Sequence, residues 1–139
     1  MRILVDTNIL VDYLLNRENF FEPAEKVVAI CQQELANGAI SSQSIADMFY
    51  LMRKNFSVAE RKTMLLNLCD IFHVEGTDEV KVLCALVNDK FSDFEDCLQM
   101  QCALSFRADY IVTRNVKDFA ASEIPAVTPE EFCRILLDA

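Results

Sequence analysis

The chain has 139 residues, 53% of them apolar, with two glycines and three prolines; that makes one domain with a full core and excludes a disordered or linker-dominated chain. Twenty-two acidic against thirteen basic side chains give a formal net charge of −9, which excludes nucleic-acid binding through a globally basic face and leaves room only for a local one. No apolar run approaches the roughly 18 residues of a membrane span, and the N-terminus lacks the basic start and small-residue cleavage site of a signal peptide, so a cytoplasmic location is expected.

Arg2-Ile3-Leu4-Val5 is a short apolar strand without alternation, and it breaks into Asp6-Thr7-Asn8 before the helical run Ile9 to Leu15. A carboxylate there sits where open α/β sheets place their ligands. Glu22 to Ala36 repeats Ala24, Val27, Val28, Ile30, Cys31 and Leu35 at helical spacing, with Pro23 in the first turn, and Asn37-Gly38 is expected to stop it. Ala39-Ile40 is a short strand. Ser41 or Ser42 then caps a helix with Ile45, Met48, Phe49 and Met52 inward and Asp47 in its first turns.

Ser57-Val58-Ala59-Glu60 is a capping box opening a helix through Leu65, Leu66 and Cys69, followed by the strand Ile71 to Val74. Thr77 to Asn88 reads as a helix, and Asp93 caps a longer one from Phe94 to Phe106. Ala108 to Val112 is a strand ending at Thr113-Arg114-Asn115, Ala126-Val127 a short last strand, and Thr128-Pro129-Glu130-Glu131 a helix start with cap, proline and acids in place. Short strands alternating with amphipathic helices predict an α/β fold with a parallel sheet.

Six cysteines are scattered without close pairs, which predicts reduced, buried thiols acting as small hydrophobes. The single histidine, His73, falls in a strand pattern, so nucleophilic catalysis through histidine is excluded. Arg17, Arg53, Lys54, Arg61, Lys62, Arg114 and Lys117 fall near element ends, where they could gather around one rim or simply be solvated surface charge.

On a parallel sheet, Asp6, Asp47 and Asp118 lie past the carboxyl ends of strands, and Asp96 joins them if its helix starts at the same edge. Carboxylates converging there repel one another unless their pKa values rise or a cation neutralises them, and an all-oxygen set selects Mg²⁺ or Mn²⁺ over zinc. Each acid also has an ordinary role: Asp96 and Asp47 could complement a helix dipole for about 0.3–1 kcal/mol, and Asp118 could serve a turn. Asp6 fits such a role least, because a carboxylate directly after a buried strand is costly without a purpose.

Asp6-Thr7-Asn8 after the N-terminal strand, Asp47 after a serine-rich strand end, Asp93-Phe94-Glu95-Asp96 opening a helix and Ile111 to Phe119 together resemble the PIN-domain family over nearly the whole chain. Many members are ribonuclease toxins of type II toxin–antitoxin pairs, similar to the VapC type. The resemblance implies a three-layer α/β/α fold with a central parallel sheet of four or five strands, and one or two Mg²⁺ or Mn²⁺ ions held by three or four acids. It carries Asp6, Asp47 and Asp96 onto the core acids, and Asn8, Thr113 and Asn115 onto the polar residues lining the site. Asp47 stands where Glu is commoner, one methylene short. Asn115 is uncharged, so Asp118 takes the fourth position.

The resemblance further implies hydrolysis of RNA phosphodiesters, an antitoxin partner and a homodimer; the apolar residues of the helical segment from Ser42 to Cys69 read equally as a dimer face or as plain core packing. Arg17, Arg53, Lys54, Arg114 and Lys117 are the candidates for RNA contact. Two other classes share parts of the pattern. A degenerate PIN-like module would keep the acids for folding or binding alone. A haloacid-dehalogenase-like phosphatase also starts from an acid after its first strand but needs an aspartate where Asn8 stands.

Overall fold

Alternation along five short strands decides the layering. The computed structural model describes residues 1–139. Its strands β1 (Arg2–Val5), β2 (Asn37–Ser41), β3 (His73–Glu75), β4 (Tyr110–Val112) and β5 (Ala126–Val127) form one wholly parallel sheet in the order β3-β2-β1-β4-β5. Central β1 is covered on both faces, which is why Ile3, Leu4 and Val5 form an unbroken apolar run, each 0% exposed. Successive side chains point to opposite faces of a strand. Ile3, Val5, Ile40 and Val112 therefore pack against α1 (Thr7–Leu14), α2 (Phe21–Gln32), α3 (Ser42–Leu51), α4 (Val58–Ile71) and α7 (Pro129–Asp138). Leu4, Ala39 and Ile111 face α5 (Glu79–Val87) and α6 (Phe94–Phe106). The result is the three-layer α/β/α architecture with a parallel sheet that the sequence predicts.

Polar caps make the sharp strand-to-helix turns at the sheet's carboxyl edge. Asp6 follows β1 and caps α1, Ser41 ends β2 and caps α3, and Asp93 caps α6, the helix that leads back into β4. Capping boxes at Ser57/Glu60 and Thr128/Glu131 start α4 and α7 as expected. No helix is long and apolar enough to cross a membrane.

Several local expectations are corrected. Asn37-Gly38 does not stop α2; the helix ends at Gln32, Glu34 takes the left-handed turn (φ 60°), and Asn37 and Gly38 already belong to β2. Leu35, expected on the helix's apolar face, is consequently exposed. Helix α4 runs through Ile71, so β3 starts only at His73, whose exposed ring stacks on Phe106. Of the six cysteines Cys31, Cys97 and Cys102 are buried and Cys133 is half-buried, but Cys69 and Cys84 are exposed, because α4 and α5 lie at the outside of their layers. Leu66 on α4 and Val80, Leu83, Leu86 and Val87 on α5 are likewise exposed.

Gly38 is required by close approach. A Cβ there would lie 2.7 Å from the Phe72 ring and 2.8 Å from the Cys31 sulfur, both buried. Gly38→Ala is expected to destabilise the fold by about 1–3 kcal/mol through overpacking, read as a lower urea midpoint with unchanged slope. An unchanged midpoint would mean that Phe72 moves aside freely.

Candidate functional site

Asp6 is the most constrained acid at the carboxyl edge. Its side chain is held between β1, β4 and α6, and the residue is 7% exposed. Oδ1 accepts from the Thr7 backbone N–H (2.8 Å) and from Gln99 Nε2 (3.3 Å); Oδ2 accepts from Thr113 Oγ1 (2.8 Å) and Asn8 Nδ2 (3.2 Å). Every one of these donors is neutral. Burial pushes the Asp6 carboxyl above its ordinary range, the bonds from Thr113, Thr7 and Gln99 pull it back, and the charge of Asp118 pushes it further up, with a net rise.

Beneath Asp6 a chain of hydroxyls joins the first two strand ends. Ser41 Oγ accepts from the Ser44 N–H (3.0 Å) and lies 2.9 Å from Ser44 Oγ, which is 2.6 Å from Thr7 Oγ1. Gln99 Nε2 reaches both Thr7 Oγ1 and Ser44 Oγ at 3.0 Å, so one amide on α6 ties α1 and α3 to Asp6. Its Oε1 is buried without a partner.

A cleft of about 360 Å³ opens over this floor, and Asp6, Asn8, Asp47, Glu95, Asp96 and Asn115 are among its walls. Asp96, half-buried in the first turn of α6, is pushed up to about 7, first by burial and then by the charges of Asp93, Asp6, Asp118 and Glu95. Asp118 lies on the 3₁₀ turn Val116–Phe119, exposed, yet near enough for its charge to raise both Asp6 and Asp96. Asp47 is half-buried in the opposite wall, with Oδ1 held by Gln43 Nε2 at 3.0 Å. Thr113 is fully buried against Asp6, and its Oγ1 also accepts from the Asn115 N–H (3.1 Å). The fold therefore gathers the predicted acids and amides at one edge. As the side chains stand, no three acids converge at ligand distance. The fit to a hard cation is one of charge and donor type: all-oxygen groups, two of them raised by burial and by neighbouring acidic charge, and no basic side chain bonded to either.

The basic candidates do not form one rim. Arg114 Nε and Nη2 bind the fully buried Asp12 at 2.7 and 3.3 Å, and Arg17 Nη1 approaches it at 3.5 Å. Arg61, 9% exposed, donates to the Phe49 carbonyl and stacks on the Phe49 ring, which makes it a structural brace. Arg53 donates to the Tyr50 carbonyl and lies over the Tyr50 ring, beside the cleft that Tyr50 lines. Lys54 and Lys117 are exposed.

Asp12, Ser44, Glu95 and Gln99 were not singled out from sequence. Gln99 stands one helical turn after Asp96, and Ser44 sits at the position that receives the Ser41 cap, so spacing alone could have flagged both. Asp12 carried the plainest signal, a charge on the inner face of an otherwise apolar helix.

A family model described as PIN domain matches residues 2–117. The ribonuclease VapC1 of Aquifex aeolicus is 25% identical over 95% of this chain and 93% of its own length. Among solved structures, a toxin–antitoxin complex from Klebsiella pneumoniae aligns with a TM-score of 0.67 at 23% identity, covering 91% of this chain and 97% of that one. VapC20 of Mycobacterium tuberculosis, described as a toxin that cleaves the sarcin–ricin loop, aligns with a TM-score of 0.67 at 12% identity over 88% and 95%. At these identities the structures speak for the fold alone.

Two outcomes test the site's physics. Asp96 has an ordinary value of 3.8 and a folded value of about 7, so the folded chain holds the extra proton between those limits and stability from this group is lost as pH rises through them. Asp96→Asn should therefore gain melting temperature relative to the unaltered chain as pH climbs from about 4 to 7, and hold a constant advantage beyond. A difference independent of pH would contradict the raised value. Gln99→Met keeps the volume but removes the one amide that donates to Thr7, Ser44 and Asp6, and is expected to cost about 1–3 kcal/mol in urea unfolding.

Proposed function

Because the chain belongs to the PIN-domain family, we propose that it is a metal-dependent endoribonuclease that hydrolyses RNA phosphodiesters. The observation that carries the proposal is the pairing of buried Asp6 with raised Asp96 at one cleft, two carboxylates whose repulsion no protein cation relieves. Asp6 and Asp96 are the proposed ligands of Mg²⁺ or Mn²⁺, with Asp118 and Asp47 completing the set directly or through water. When bound, the ion supplies a water of lowered pKa and offsets charge on the phosphoryl group.

The chain's own groups do the positioning. Thr113 and Asn8 fix the orientation of Asp6 Oδ2, and Gln99 fixes Oδ1, so the carboxylate is set before a ligand arrives. Asn115, on the cleft wall, offers an amide to phosphate or to a water. Asp47, free of the Asp6 network and half-buried, or Asp118 takes a proton from the attacking water in this reading. Of the basic candidates, Arg53 and Arg114 stand beside the cleft or next to its Asn115 wall, and they are the ones we assign to RNA.

A relative named as a ribonuclease and a structural neighbour solved as a toxin–antitoxin complex support a second part of the proposal. The chain is the toxin of such a pair, and its partner is a protein antitoxin that blocks the acidic cleft. Exposed Tyr50, Leu51, Val58 and Leu66 leave apolar surface on the segment from Ser42 to Cys69, which supports a homodimer.

The test is cleavage of a panel of structured and single-stranded RNAs with Mg²⁺ or Mn²⁺. Asp6→Asn is expected to lower the rate by more than the roughly 10–100-fold typical of an outer partner, and EDTA to abolish it. Mn²⁺ should raise the melting temperature of the unaltered chain. Cleavage that survives Asp6→Asn or EDTA would sink the metal mechanism, and no cleavage with no Mn²⁺ shift would favour a binding module.

A further inference from the structure

A second cavity, of about 230 Å³, adjoins the acidic cleft and shares Asn115 with it. That is below the roughly 300 Å³ at which pockets for drug-sized ligands begin, a scale suited to a single ring system. Its planar element is Phe20, 42% exposed, with the Arg114 guanidinium 4.1 Å over the ring; Ile9 and Pro129 add apolar wall. Resting on the nuclease reading, we propose that this cavity is a nucleobase subsite, in which Phe20 and Arg114 stack a base of the RNA next to the phosphate held in the cleft.

Three observations point to a base. The first is charge: the one guanidinium in the lining, Arg114, meets two carboxylates, Asp12 and Glu130, and Arg17 pairs with Asp12 from outside it, so the cavity offers no excess positive charge to a phosphate. The adjoining start of α7 is already capped by Thr128 and Glu131 and carries acids in its first turn, which leaves no open end for an anion either. Flat faces without excess positive charge suit the π-surface of a base, which stacks on aromatic rings and guanidinium planes whatever its sequence.

The second is rigidity. Asp12 is fully buried and holds Arg114 through two donors, and a buried ion pair adds little stability over apolar packing, so its use here is to fix the guanidinium plane. The backbone that carries Phe20 is held as well: Asn16 (φ 51°) and Asn19 (φ 73°) take left-handed turns, and the Phe20 N–H bonds the Arg17 carbonyl at 3.1 Å. The third is need. On a chain of net charge −9, RNA affinity must come largely from contacts other than bulk electrostatics.

The experiment uses RNA carrying 2-aminopurine in turn at each position around the cut, a probe quenched by stacking and cleanly excited in a chain without tryptophan. An Asp6→Asn background holds the RNA intact. One position should be quenched, with quenching lost in Phe20→Ala, retained in Phe20→Tyr, and weakened in Arg114→Lys, which keeps the charge and loses the plane. In the chain with Asp6 intact, Phe20→Ala should raise KM about 5-fold or more with kcat little changed. Phe20 is a surface residue, and an unchanged melting temperature confirms that the variant folds. Equal quenching and equal KM in Phe20→Ala overturn the subsite alone, as does a Phe20→Ala variant that keeps its RNA binding but loses a protein partner. An unaltered chain that neither binds nor cuts any RNA overturns the nuclease reading and the subsite together.

Discussion

A carboxylate at the end of the central strand, buried and bonded only to neutral donors, is the constraint on which the rest of the molecule turns. A buried charge of this kind is costly unless it is compensated. Asp6 receives four hydrogen bonds, yet burial still outweighs them and its carboxyl stays above the ordinary range. The protein has spent its amides and hydroxyls on direction and has supplied no positive charge. Asp96, raised to about 7 by burial and by its acidic neighbours, repeats the pattern across the cleft.

Much of the architecture follows from holding Asp6 there. The parallel sheet places the ends of β1, β2 and β4 side by side, and Thr113 from β4 and the hydroxyls following β1 and β2 meet under the carboxylate. Helix α6 supplies both the second acid and, one turn later, the Gln99 amide that binds Asp6, Thr7 and Ser44 together. The two guanidinium groups that could have neutralised the edge are drawn off to Asp12 instead. Their charge is thus balanced beside the cleft, and the acids of the cleft keep theirs.

The fold was legible because its signals are local. Unbroken apolar strands, serine and aspartate caps, and the Thr128-Pro129 helix start each name an element without reference to the rest of the chain. Where tertiary approach decided, the sequence misled: Gly38 looks like a helix stop, but it is a strand residue kept small by Phe72 and Cys31. The acids were legible as a set, since each follows a strand or opens a helix at the same edge. Their supports were not. Gln99 and Ser44 read as ordinary polar residues on helices, and only the packing of α6 against β1 and β2 brings them to Asp6. Arg17 and Arg114 were visible as charges, but their convergence on Asp12 depends on the loop before α2 folding back over β4's end. Exposed Cys69 and Cys84 show the same limit, because composition cannot say which helix lies outermost.

The most direct measurement of the central claim is the proton count on cation binding. If the cleft is a set of carboxylates raised by burial and mutual repulsion, a cation that relieves the repulsion must release the protons they hold. Mn²⁺ titrated calorimetrically at about pH 6, in buffers of different ionisation enthalpy, should bind with net proton release that fades by about pH 8, above the Asp96 value. Binding with no proton release at either pH, or no binding at all, would contradict the account.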